Sequence, residues 1–179
     1  MSLEKIESQA ESSESLFNAS DRTDAILLVE GKRIHVNKAF LSFHSEYFWD
    51  LFSTARDTEN EEFPIEDVNY QDFARLLRFI YPNSLRPKIT TMASVLEVAD
   101  KLKFPAVGKH LEPLIALSRM PWTEKLSLAD KYGLKMVMNH CLSQMTSKTK
   151  SEQIIGHLGN THISDATKLK LFARFQRFL

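Results

Sequence analysis

His140 stands beside Cys141, the chain's one cysteine. A thiolate nucleophile needs a base in hydrogen-bond reach and a third group that orients the base. Successive helical residues diverge by about 100°, so this pair cannot act alone, and the reading that remains is a helix histidine next to a core cysteine. His157 and His162 lie five apart around Gly159, a spacing that no single helical turn converts into a metal site. G-x-G-x-x-G, Walker, G-x-S-x-G and H-E-x-x-H patterns are all absent. The expectation is a chain without catalytic residues, metal or cofactor.

Near the end, Lys168, Lys170, Arg174 and Arg177 intersperse with Leu171, Phe172, Phe175 and Phe178. A basic, aromatic helix of this kind can face nucleic acid. A terminal helix that docks its phenylalanines on the domain and shows its charges to water accounts for the pattern equally. Lys plus Arg and Asp plus Glu number 23 each, so no whole-molecule field draws the chain to nucleic acid or to an anionic membrane. Neither partner is expected.

A single cysteine excludes an internal disulfide and fits a reducing compartment, cytoplasm or nucleus. No run approaches the roughly 18 apolar residues of a membrane span, and MSLEKIESQAESSES lacks the apolar segment of a signal peptide.

The densest remaining feature is IHVNKAFLSFHSEYFWDLF, residues 34–52, with six aromatics. Ile34, Val36, Leu41, Phe48, Leu51 and Phe52 have the spacing of core residues. Phe40 and Phe43 exceed what a short helix needs to bury, and Trp49 lies about 100° round from Phe48. Large aromatics left over from a core are the usual anchors of protein interfaces. Phe40, Tyr47 and Trp49 are therefore assigned to a subunit or partner surface.

These residues need elements to hold them. Residues 1–20, rich in Ser and Glu, read as a flexible lead-in. AILLV and KRIHV flank Glu30-Gly31 as a hairpin. Asn37 and Ser45 can cap two short helices. EFPIEDV supplies a strand that Pro64 confines to an edge. Asn69 caps a helix with Phe73, Leu76, Leu77 and Ile80 on one face, which Tyr81-Pro82 ends. Further helices follow. Pro105 opens one, in which Pro113 should cause a kink or an early end. Thr123 caps another, closed by Gly133, and Ser151 and Ser164 start two more. The fold class is α+β and mostly helical, with one small sheet near the start.

VADKLKFPAVGKHLE, residues 98–112, aligns with LADKYGLKMVMNHCL, residues 128–142. Ala99 matches Ala129, Asp100 matches Asp130, Val107 matches Val137 and His110 matches His140. Two stacked helical pairs would bury the small alanine positions against neighbours, an extension and not a full solenoid.

The order Asp24, hairpin, IHVNKAFLSFHSEYFWDLF, acidic loop, FPIEDV, YQDFARLLRFIYP and VADKLKF resembles a BTB/POZ domain, and most resembles those of the MATH-BTB adaptor proteins. The combination D-x-x-L-x-V, S-x-Y-F and F-I-Y-P is what makes the match specific. The resemblance spans residues 21–117. Residues 118–179 are similar, from Trp122 to Met145 above all, to the 3-box or BACK-like helices that follow such domains.

The resemblance implies a small sheet flanked by helices, a homodimer built on the first helices, and a scaffold without catalysis. It places Asp24 and Lys38 at a charge pair near the dimer groove. It also implies an adaptor that binds a cullin-3 scaffold and recruits a substrate protein, left unidentified, for ubiquitination. The cullin-side residues would be Ala55 and Asp57, in the triplet Ala55-Arg56-Asp57, with Tyr81. Alanine stands where relatives carry a large hydrophobic residue, a loss of about 1 kcal/mol at that anchor. The other reading is a BTB self-assembly scaffold, transcriptional or channel-type, with no cullin partner. No MATH domain or kelch array is recognisable, so a substrate reader lies outside this sequence, is supplied by another chain, or does not exist.

Overall fold

A computed structural model describes residues 17–54, 62–81, 87–156 and 162–178, without the side chain of residue 154. Strands β1 (Ala25–Val29) and β2 (Lys32–Val36) pair antiparallel in the register Leu27 to Ile34. Their turn places Glu30 at φ 49° and Gly31 at φ 74°, the two positive values that a tight primed hairpin demands. β3 (Glu62–Ile65) runs parallel to β1, giving the order β2-β1-β3 among the described residues. Pro64, which has no N–H to give, lies on this edge strand and faces solvent, as its sequence context requires.

Helices α1 (Lys38–His44) and α2 (Glu46–Ser53) follow the hairpin. Asn37 Oδ1 accepts the Phe40 N–H at 2.7 Å, and Ser45 Oγ accepts the Phe48 N–H at 3.1 Å. The Ser45 hydroxyl also donates to the Leu102 carbonyl at 2.6 Å, so a buried cap ties α2 to a distant helix end. α3 (Tyr70–Ile80) has two caps. Asn69 accepts from Gln71 and Asp72, while Glu30 reaches across from the hairpin turn to the Tyr70 N–H. The left-handed residue at the turn therefore serves a second element. Tyr81 ends α3 in an extended conformation, which the following proline favours.

Leu27, Ile34, Leu41, Phe48, Phe73, Leu76 and Leu77 are fully buried. Phe48 lies at the centre of a ring cluster, 5.6 Å from Phe52, 6.2 Å from Phe73 and 5.8 Å from Phe104. Phe17, inside the stretch read as a lead-in, also packs into this core. A phenylalanine next to a polar run carries enough apolar area to be held when the sheet leaves room for it.

α4 (Met92–Lys101) packs with α5 (Pro105–Leu117), and α6 (Trp122–Tyr132) packs with α7 (Lys135–Ser143); α8 (Lys148–Gly156) and α9 (Asp165–Phe175) follow. The echo between the two pairs extends to the backbone. Lys103 and Gly133 occupy the same place between helices with φ 50° and 66°, and the next N–H closes back on Ala99 at 2.7 Å and Ala129 at 3.0 Å. The second helices of these two pairs begin at residues 105 and 135, and α9, beginning at 165, continues that interval. The sequence conceals it because polar Thr167 takes the buried place of Val107 and Val137.

Four local expectations need correction. Pro113 does not end α5, which continues to Leu117, with Leu111, Ile115 and Ala116 buried along it. α6 starts at Trp122 after Pro121, whose fixed φ begins the turn, leaving Thr123 inside the helix. α8 starts at Lys148, and Ser151 is buried within it, its hydroxyl donating to the Ser147 carbonyl at 2.7 Å. The last helix does not dock all its phenylalanines: Phe172 is 54% exposed, while Phe175 and Phe178 are half-buried.

Candidate protein-interaction site

The aromatic run divides as its helical geometry dictates. Phe48 points inward and is fully buried. Its neighbour Trp49 is 62% exposed, and Phe43, at the end of α1, is 86% exposed. Phe40 is half-buried and stacks on Tyr81 with ring centroids 4.9 Å apart and planes 7° from parallel. His44 sits 4.6 Å from the Phe40 ring and 5.2 Å from that of Phe43. Tyr81, Phe40, His44 and Phe43 therefore make an unbroken ladder of ring contacts from the end of α3 across α1 to solvent. Burial raises the Tyr81 phenol above its ordinary value, so it stays neutral and a donor.

Tyr47 meets Phe48 edge-on at 5.2 Å and is half-buried. Burial first, and then the charge of Glu66, raise its phenol. It joins the core's outer layer and is less free than Trp49 to anchor a partner.

Asp24 and Lys38 do come together, but through the backbone. The Asp24 carboxylate accepts the Lys38 N–H at 2.7 Å, while the lysine ammonium lies 5.6 Å from the centre of the Phe63 ring. The carboxylate thus helps to cap α1. Ala55 and Asp57 lie outside the described residues.

Phe43 and His44 were not singled out as site residues. The signal available was a phenylalanine one turn from Phe40 on a helix with one fully buried residue, Leu41. Lys125 also escaped notice. It is buried without an acid, and its ammonium donates to the Ala116 and Ser118 carbonyls at 2.7 and 2.8 Å, closing the end of α5. Cys141 is a core residue, and burial pushes its thiol up to about 11 against the pull of Lys125. Among the described residues no group of three or more His, Cys, Asp or Glu side chains could hold a metal ion, and no helix is long and apolar enough to cross a membrane.

A small sheet flanked by helices, with aromatics turned outward from its first two helices, defines a protein-interaction fold. The BTB/POZ domain family model matches residues 13–119. The chain belongs to the BTB/POZ domain family. It is 35% identical over 158 residues to BTB/POZ domain-containing protein Y57A10B.3 of Caenorhabditis elegans, covering 87% of this chain and 50% of that protein. It is 32% identical to BTB and MATH domain-containing protein 36 of the same organism, covering 69% of this chain and 39% of that one. Kelch-like protein 22 of Mus musculus is 27% identical, covering 68% and 19%. The chain spans half the length of these curated relatives or less. Among solved structures, the BTB domain of zebrafish PATZ1 aligns with a TM-score of 0.47 at 23% identity, covering 62% of this chain and 95% of that one.

Proposed function

We propose that this chain is a BTB adaptor that dimerises through α1 and α2, binds a cullin-3 scaffold and recruits a substrate protein for ubiquitination. The observation that carries the reading is the outward aromatic set, Phe43 and Trp49 beside the stacked Phe40 and Tyr81, which exceeds what the core requires. MATH-BTB and Kelch-like relatives support the adaptor role, and the helices after the BTB domain support a BACK-like extension over residues 118–179. No catalysis belongs to this reading, and the place of action is the cytoplasm or nucleus.

Titrating the purified chain with the amino-terminal domain of cullin-3 tests it. Binding at tens of micromolar or tighter is expected. No binding by folded protein removes the adaptor role and favours the second reading, a self-assembly scaffold, for which Ala55 in the hydrophobic anchor position is the specific argument. Ala55→Met then separates the two, because it strengthens binding in an adaptor and creates none in a scaffold.

A further inference from the structure

Because α5, α7 and α9 start at a constant interval, their residues can be compared depth by depth. Val107, Val137 and Thr167 are buried, and so are Leu111, Cys141 and Leu171. On the outward side, Lys109, Asn139 and Leu169 occupy one row and all face solvent. The first two are polar, as a solvated row should be; the third is a leucine, 68% exposed. One turn further, Glu112 is half-buried and accepts the Met136 N–H, and Leu142 is half-buried, whereas Phe172 is 54% exposed. Of the three helices, α9 alone exposes large apolar side chains at both levels.

Ala166, Leu169, Ala173 and Gln176 recur along the outward side at intervals of three and four residues, and all are exposed. That is the spacing of a two-helix seam. Lys170 and Arg177 border it on one side and Phe172 on the other, both bases exposed. Over residues 165–178 the bases Lys168, Lys170, Arg174 and Arg177 outnumber the one acid, Asp165, which pairs with Lys168 at 2.8 Å, and the Asp130 carboxylate of α6 offsets only part of the excess, through Lys170.

We infer that the outward row of α9, Leu169 and Phe172 flanked by Lys170 and Arg177, docks an acidic amphipathic helix of another protein. Charge selects this occupant. Two copies of α9 laid together would set Lys170 and Arg177 against each other, and like charges across a seam repel. A bilayer would receive two large apolar side chains from this face, too shallow a surface for interfacial insertion. Ala166 and Ala173 instead leave room for a second helix to approach. The inference does not depend on cullin binding, since it concerns a different helix and a different partner.

The test uses the full chain and a fluorescein-labelled synthetic peptide of three heptads, leucine at the a and d positions and glutamate at e and g, read by anisotropy. Micromolar binding is expected, and no binding of the counterpart with lysine at e and g. The double variant Leu169→Ser, Phe172→Ser weakens binding more than tenfold with its melting curve unchanged. Lys170→Glu with Arg177→Glu reverses the preference toward the lysine peptide, a readout that a merely adhesive surface would not give. Equal binding of both peptides, or none by folded wild type, overturns the inference. So does preference for anionic phosphatidylserine vesicles, or a self-associated mass that falls when Leu169 and Phe172 are replaced.

Discussion

Phe40 and Tyr81 lie face to face, 4.9 Å between ring centres, though one belongs to the first turn of α1 and the other to the residue that ends α3. The family resemblance assigned them to two surfaces, dimer and cullin. The stack makes them one patch, so a change at either is felt at the other. Phe40→Ala and Tyr81→Ala should each destabilise the fold, and their double-mutant cycle should show about 0.5–1.5 kcal/mol of coupling in urea denaturation. Strict additivity would mean that the rings touch without supporting each other.

Phe43 contributes little to the core because so much of it is in water. Phe43→Glu is therefore expected to shift stability by no more than about 0.5 kcal/mol and, if the proposed interface holds, to weaken partner binding. Circular dichroism melts provide the first half of the test. A variant that unfolds would show that Phe43 is packed in solution.

Asp130 fastens α6 to the start of α9. Its carboxylate accepts the Ser164 N–H at 2.5 Å, the Ser164 hydroxyl at 2.6 Å and the Thr167 hydroxyl at 2.7 Å. Burial alone would raise its pKa; these donors, with Lys170, outweigh burial and hold it below the ordinary aspartate value. A lowered folded value means stability that is present above the unfolded pKa and lost as pH falls through the folded one. Asp130→Asn should cost about 1 kcal/mol at neutral pH, after screening by solvent. The gap between variant and wild type should close in acid. A gap that ignores pH between neutrality and the acid range would remove the carboxylate from this role.

Lys103 holds a left-handed φ of 50° at the place where the echoing pair uses Gly133 at 66°. Lys103→Gly should stabilise the chain by about 0.5–1 kcal/mol, since glycine adopts that conformation without a Cβ penalty. Denaturant melts read the change, and a loss of stability would mean that the lysine side chain holds the turn.

The hairpin, the edge strand with Pro64, the caps Asn37, Ser45 and Asn69 and the buried Phe48 were all legible because each follows from local chemistry. The division between Phe48 and Trp49 was legible too, since a helix turns its neighbours apart. What escaped was fixed by tertiary context. Pro113 stays helical, with Leu111, Ile115 and Ala116 buried along the helix. The place of α9 in the repeat hides behind Thr167, whose polarity is offset by a bond from its hydroxyl to Asp130. Of the proposed site, Phe40 and Trp49 could be named from the residue pattern, and Tyr81 only through the family resemblance. Their partner His44 could not, because nothing in a sequence tells that an imidazole will fill the gap between two phenylalanines.

In the proposed adaptor, the aromatic face of α1 and α2 closes an interface between copies of this chain. Light scattering on the wild type beside Trp49→Glu measures it directly. The wild type is expected at twice the chain mass of 20.6 kDa, and the variant at the mass of one chain with its helical signal intact. A wild type that remains a single chain at tens of micromolar, or a Trp49→Glu protein that stays paired, would contradict it.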